Sequence, residues 1–401
     1  MPLFDPQSHE ALADEPWNEA RVREAVARIV ADAEGAYDEM SLWPAHPLDE
    51  DGEPLPPLTS LYLAASGVIW GLDVLARAGA AELRRDWSPV VPALYERYCQ
   101  APDFAERGGG RKPSFWMGES GILVLAHRLA PAAWQEERVL ACVHENRANP
   151  TRELMWGSPG TMLAAQTMYQ RTGQEAFAEA WCASADWLLG EWREDLWRQE
   201  LYGNSVHILG PAHGFAGNVH ALCRGELLDP QRRVDVERRA VATAARYAQR
   251  EGGLAQWPAS LEPRPERAPG IRTQWCHGAP GIVASLAGIG PGDDEHTELL
   301  LAGGELTWRA GPLVKGPGLC HGTAGNGYAF LKLFERTGDE LWLSRARRFA
   351  MHAAAQVEHA RREHGRGRYT LWTGDLGTAL YLWSCVEASA ALPTLDQRPR
   401  R

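Results

Sequence analysis

With 401 residues, 45% of them hydrophobic and 23% charged, the chain has ample material for a large core and none of the compositional marks of disorder. A formal charge of −11 without a long basic run argues against a nucleic-acid partner, and no apolar stretch approaches the roughly 18 residues of a membrane span. The N-terminus lacks the basic and apolar regions of a secretory signal, and seven cysteines are scattered without disulfide-scaffold spacing, so a cytoplasmic location is expected.

In chain order, residues 1–56 read as an extension: a helical stretch from about Trp17 to Asp38, then a Pro- and acid-rich linker from Pro44 to Pro57. The body, residues 57–390, is organised by a recurring Gly-x-x-Gly turn. It is degenerate at Ala64–Gly67 and then returns at Gly118–Gly121, Gly157–Gly160, Gly214–Gly217, Gly278–Gly281, Gly322–Gly325 and Gly374–Gly377. Each turn opens an apolar segment, such as Ile122-Leu123-Val124-Leu125-Ala126, and an amphipathic segment follows, as in Glu340 to Val357.

Buried helices alternating with one-sided ones predict two concentric rings: an all-α, seven-repeat α/α toroid, the glycines providing positive φ or close backbone approach at its floor. Residues 391–401 read as a frayed C-terminal tail.

Aligning the seven turns superimposes the residues before the first glycine: Leu63, Met117, Trp156, His213, His277, His321 and Thr373. One position earlier, turns five and six carry Cys276 and Cys320. A closed ring then brings Cys276, Cys320 and His321 to one point, and three soft ligands with a fourth position open are the arrangement of catalytic zinc. Their shared register carries this reading, since the interval between the cysteines matches no zinc finger. Cys99, Cys142, Cys182, Cys223 and Cys385 read as ordinary packed residues.

At Trp275-Cys276-His277-Gly278-Ala279-Pro280-Gly281 and Gly318-Leu319-Cys320-His321-Gly322-Thr323-Ala324-Gly325-Asn326 the chain closely resembles the lanthionine cyclase-like (LanC-like) family. The phrases look more like those of the glutathione-binding eukaryotic members than of lantibiotic cyclases. The resemblance implies a toroid with a central zinc on Cys276, Cys320 and His321, an acid/base at His213, and Arg272 as a neighbour of the site. Glu153 stands where lantibiotic cyclases carry an aspartate. Lys315 matches a lysine that contacts glutathione, and Thr373, Gly374, Asp375 and Leu376 match a turn lining the same pocket. Trp275 is expected to wall the site.

The function this implies is zinc-dependent addition of a thiol, from glutathione or a peptide cysteine, to dehydroalanine or dehydrobutyrine residues, forming a lanthionine-type thioether. One Zn²⁺ per chain is expected, with glutathione as a co-substrate and a dehydrated peptide or protein as partner. Lys315, Arg272 and Arg111 are the basic residues available to an anionic thiol. The alternative is a non-catalytic zinc- or glutathione-binding scaffold or sensor. A glycosidase is disfavoured because the only carboxylates inside the turns, Glu119 and Asp375, lie in different turns, and a prenyltransferase because no cationic diphosphate pocket shares the register.

Overall fold

A computed structural model describes residues 2–49, 56–105, 110–262 and 271–396. Part of the Pro- and acid-rich linker and the last five residues of the tail lie outside the described residues.

Seven inner helices begin at the seven turns: α2 (Ala65–Arg77), α4 (Glu119–Leu129), α6 (Ser158–Thr172), α8 (Phe215–Cys223), α10 (Ala279–Leu286), α12 (Thr323–Thr337) and α14 (Asp375–Glu387). Each touches the next, and α14 touches α2, so the ring closes. Outside run α3 (Val90–Gln100), α5 (Ala133–Asn146), α7 (Glu175–Gly190), α9 (Pro230–Tyr247), α11 (Asp294–Ala310) and α13 (Glu340–His364). The seventh outer place is taken by α1 (Glu19–Gly35), which packs on α14 and α13. The N-terminal extension therefore completes the outer layer, a role not visible in the sequence because α1 is not preceded by a turn.

Burial follows the layers. All eight residues of α10 are buried, whereas α9 buries only Val236, Ala240, Thr243 and Ala244 of its 18. Outer helices α1, α9, α11 and α13 start on side-chain caps, as Asp229 does for the Gln231 and Arg232 amides of α9.

Inner helices start on glycine, or on Ala64 at α2, with no side-chain cap from that residue, and solve the orphan-amide problem differently. The loop before most turns curls back so that a carbonyl seven residues upstream accepts from the helix N-terminus, as Lys112 O does from Glu119 N (2.8 Å), Ile208 O from Phe215 N (2.9 Å) and Gly316 O from Thr323 N (3.0 Å); at α10 the Ala279 amide donates instead to Gln256 Oε1 (2.6 Å). That curl presses the second glycine of every turn onto the carbonyl six residues before it, Leu319 in the case of Gly325, where a Cβ would overlap the oxygen. Close approach, and not positive φ, is thus the reason for these seven glycines; in the turns only Gly278, at 105°, has positive φ.

Two short hairpins depart from the all-helical expectation. Strands β1 (Gln199–Leu201) and β2 (Asn204–Val206) pair antiparallel before turn four, and β3 (Gln249–Glu251) with β4 (Leu254–Gln256) before turn five. The tail expectation fails over residues 391–396. Leu392 and Leu395 are each 1% exposed, Thr394 accepts from the Trp116 indole at 3.0 Å, and Asp396 pairs with Lys332 at 3.0 Å. No described helix is long and apolar enough to cross a membrane.

Candidate metal centre and thiol site

The column two residues before the first glycine, Tyr62, Trp116, Cys276, Cys320 and Trp372 among its members, is a physical object. Cys276 N donates to Cys320 O (3.0 Å), Cys320 N to Trp372 O (2.8 Å), Trp372 N to Tyr62 O (3.1 Å) and Tyr62 N to Trp116 O (2.9 Å). Equivalent residues of five turns are thereby strung into one arc around the ring axis.

This arc sets the sulfurs of Cys276 and Cys320 beside the His321 imidazole. The three ligand atoms lie within 4.8 Å of one another, both cysteines buried and the histidine half-buried. The hydrogen bond from Cys320, with the nearby charge of His277 and His321, holds Cys276 well below the ordinary thiol range, while that same bond and burial push Cys320 well above it. The Gln274 amide donates to Cys276 Sγ at 2.9 Å. Two cysteine sulfurs next to an imidazole form a donor set suited to a soft divalent cation.

Tyr62 reaches the site from the degenerate first turn and hydrogen-bonds Cys320; burial, then the two neighbouring cysteines, raises its hydroxyl well above the usual range. Neither Tyr62 nor Gln274 is among the sequence-derived candidates. The alignment contained the signal for Tyr62, which occupies the cysteine column of turn one.

His213 stands at the next turn round. Its ring lies 6.2 Å from that of His277, nearly parallel, and its Nδ1 is 2.8 Å from Glu153 Oε2. Glu153 has no exposed surface, and it also accepts from the amides of Met155 (2.9 Å) and Trp156 (2.7 Å). The carboxylate is therefore fixed, and with it the imidazole, whose Nε2 is left for other work. Over His213 hangs Tyr202, at the tip of the β1–β2 hairpin, edge-on at 6.0 Å and bonded through its hydroxyl to the Trp156 indole at 3.0 Å. This aromatic lip went unnoticed in the sequence because hairpin tips carry no register with the turns.

Of the remaining candidates, Lys315 is exposed at the rim, close enough for its charge to favour the Cys320 thiolate. Thr373 touches Gly318 through its backbone and bonds Thr370 through its hydroxyl at 2.7 Å. Gly374 is the N-cap of α14. Arg272 is half-buried below turn five, and among the described residues no side chain engages its guanidinium.

Three expectations need correction. Trp275 does not wall an open pocket: it is fully buried in a plug with Trp372 (4.5 Å between rings) and Trp116 (6.1 Å) on the ring axis. Leu376 packs on Gly71 between α14 and α2, with no exposed surface. Asp375 turns outward to the Arg368 amide (3.0 Å) and toward Asp32 of α1, and burial pushes its carboxyl up to about 7. Arg111 is likewise engaged elsewhere, with Glu119 at 3.4 Å, and Glu119 is held by Arg138 at 2.8 Å in a structural ion cluster.

Comparison with known proteins agrees with this geometry. A model of the family described as lanthionine synthetase C-like protein matches residues 75–396, so the match takes in the packed residues 391–396. The chain is 32% identical over 198 residues to "Glutathione S-transferase LANCL1" of Danio rerio, which covers 49% of this chain and 45% of that protein. It is 36% identical over 116 residues to "LanC-like protein GCL1" of Arabidopsis thaliana, 27% of this chain and 26% of that one. The matched segments thus span less than half the length of these curated relatives. The solved structure of "Nisin cyclase" shares the fold at a TM-score of 0.55 over 92% of this chain and 99% of that chain, with 15% identity. Sequence kinship therefore lies with these two eukaryotic proteins, and the chain belongs to the lanthionine synthetase C-like family.

Proposed function

We propose that this protein is a thiol-binding metalloprotein: Cys276, Cys320 and His321 hold a zinc ion, and glutathione is the thiol that the site receives. The carrying observation is the convergence of the ligand atoms of two buried cysteines and an imidazole within 4.8 Å of one another. A bound zinc ion would supply a fourth position at which a substrate thiol is stabilised as thiolate. The chain's own residues supply the surroundings. Tyr62 and Gln274 direct hydrogen bonds at the cysteine sulfurs, and Lys315 at the rim offers a cation to a glutathione carboxylate. The Danio rerio relative's name supports glutathione as the thiol.

The Glu153–His213 pair favours a second reading, in which the protein also catalyses addition of that thiol to a dehydroalanine or dehydrobutyrine residue. The thiol gives its proton to His213 Nε2, the thiolate sulfur bonds to the β-carbon while the alkene electrons move to the α-carbon as an enolate, and His213 Nε2 returns that proton to the α-carbon to complete the thioether. Glu153 holds Nδ1 and so keeps Nε2 turned to the substrate; general acid help of this kind is worth about 10²–10⁴-fold.

Elemental analysis and glutathione titration test the first reading. One zinc per chain, lost in both Cys276→Ser and Cys320→Ser, with glutathione binding lost alongside it, is the expected result; glutathione binding that survives metal loss would refute it. Incubation with glutathione and a dehydroalanine peptide tests the second. Adduct formation slowed in His213→Ala at unchanged glutathione affinity supports catalysis, and equal rates sink it.

A further inference from the structure

The glycine turns and the cysteines occupy one mouth of the ring; the opposite mouth, where the inner helices end, holds a cavity of about 950 Å³. Four arginines line it: Arg77 and Arg128 from the last turns of α2 and α4, Arg171 from that of α6, and Arg224 immediately after α8. Its apolar wall includes Trp70 and Phe115, and the packed C-terminal segment forms one side.

Cations at helix C-termini have an ordinary explanation, compensation of the helix dipole, and it accounts for three of the four. Arg77 and Arg128 both bond Asp73, and Arg171 bonds the His127 carbonyl at 3.1 Å. Arg224 is different. Its Nη1 is sealed from water and donates to nothing among the described residues. Asp396 is its one opposing charge, and that carboxylate is already claimed by Lys332 at 3.0 Å and His220 at 3.3 Å. The other acid at the cavity, Glu387, is also engaged. Burying a guanidinium without its full complement of acceptors costs on the order of 1–3 kcal/mol, more when the group is charged, and a partial helix dipole does not neutralise a whole charge. Burial accordingly pushes Arg224 down to about 10.

We propose that this far-side cavity is a binding site for a small organic oxyanion, with its anionic head on Arg224, helped by Arg128 and Arg171, and an aryl-sized apolar body against Trp70 and Phe115. A phosphoryl and a carboxylate head share the chemistry that a guanidinium fork recognises. The site lies on the face of the ring away from the cysteines, so its occupant and the thiol are bound independently.

The test is a titration of the full-length, metal-loaded protein with phenyl phosphate, benzoate and inorganic phosphate, followed by ligand-observed NMR. Saturable binding of an aryl anion, tighter than inorganic phosphate, is expected, with roughly tenfold or greater weakening in Arg224→Met and no displacement by excess glutathione. Phenyl phosphate binding more tightly than benzoate identifies a phosphoryl head, and the reverse order a carboxylate; either supports the site. Arg128→Met serves as a second variant should Arg224→Met fail to fold, with weakening again expected. No saturable binding, affinity unchanged in the arginine variant, or displacement by glutathione would overturn the proposal.

Discussion

The Glu153 carboxylate is committed on both oxygens, and replacing it with glutamine isolates what its second oxygen does. Three donors converge on it: Oε1 receives the Trp156 amide at 2.7 Å, and Oε2 receives the Met155 amide at 2.9 Å and His213 Nδ1 at 2.8 Å. Glutamine has one carbonyl oxygen and an NH₂ that only donates. With the NH₂ in the Oε1 place, the Trp156 amide faces a donor. With it in the Oε2 place, the Met155 amide does, and His213 must move its ring proton to Nε2. Either way a backbone amide beside a fully buried side chain is left without an acceptor, and a charge-assisted bond to the imidazole is weakened. These losses sum to roughly 2–4 kcal/mol.

Urea unfolding of Glu153→Gln should show a loss in that range, and ¹⁵N NMR of the His213 ring should show Nδ1 protonation reduced relative to wild type. Unfolding over 401 residues carries an entropy near 2.1 cal/mol/K per residue, so each kcal/mol moves the midpoint by only about 1 °C, which makes denaturant the better assay. A variant as stable as wild type with its imidazole tautomer unchanged would show that Glu153 neither holds the turn nor orients His213.

Asp375 makes a pH-dependent prediction. Its folded carboxyl sits at about 7 against an unfolded value of 3.8, so ionisation opposes folding: stability is undiminished below pH ~4, falls as pH rises through the interval, and levels off above pH ~7. Asp375→Asn should therefore gain on wild type between pH 5 and pH 8 by on the order of 3 kcal/mol in urea unfolding, and a gap that does not widen with pH contradicts the assignment. Leu392→Ala should cost about 2–5 kcal/mol, as for any buried leucine; a cost near zero would mean that residues 391–396 do not pack as described. Tyr62→Phe, which removes the hydroxyl bonded to Cys320, should weaken metal binding about tenfold or more in chelator competition, and unchanged affinity would assign Tyr62 to packing alone.

How far the site was legible depended on whether a residue kept step with the repeat. Cys276, Cys320, His321 and His213 stood in aligned columns, and because the cysteine column is a hydrogen-bonded arc in space, alignment amounted to a distance measurement. Tyr62 kept step too, but its turn has alanine in place of the first glycine, and a tyrosine in the cysteine column suggested no ligand chemistry. Tyr202 was out of reach, since a three-residue strand pair has no period to read. Trp275 and Leu376 were placed wrongly for a different reason: adjacency to a glycine turn determines height along the ring axis but not whether a side chain points inward to the plug, upward to solvent or sideways to the next helix. The α1 helix and the packed tail close the structure from outside the repeat, and in one dimension a segment that closes a ring looks the same as one that dangles from it.

The arc through Cys276, Cys320, Trp372, Tyr62 and Trp116 joins residue 372 directly to residue 62, a contact of very long sequence separation, and it does so one step from a ligand. Loop closure over such a span is slow and comes late, because its entropy is lost before any contact rewards it. A chain still emerging from the ribosome has both cysteines before it has Trp372, so for that interval it carries two thiols without the carbonyl that pins them. Metal loading at the proposed centre would then record that head and tail have met, and its affinity would report on the integrity of the whole circle, including positions remote from Cys276, Cys320 and His321.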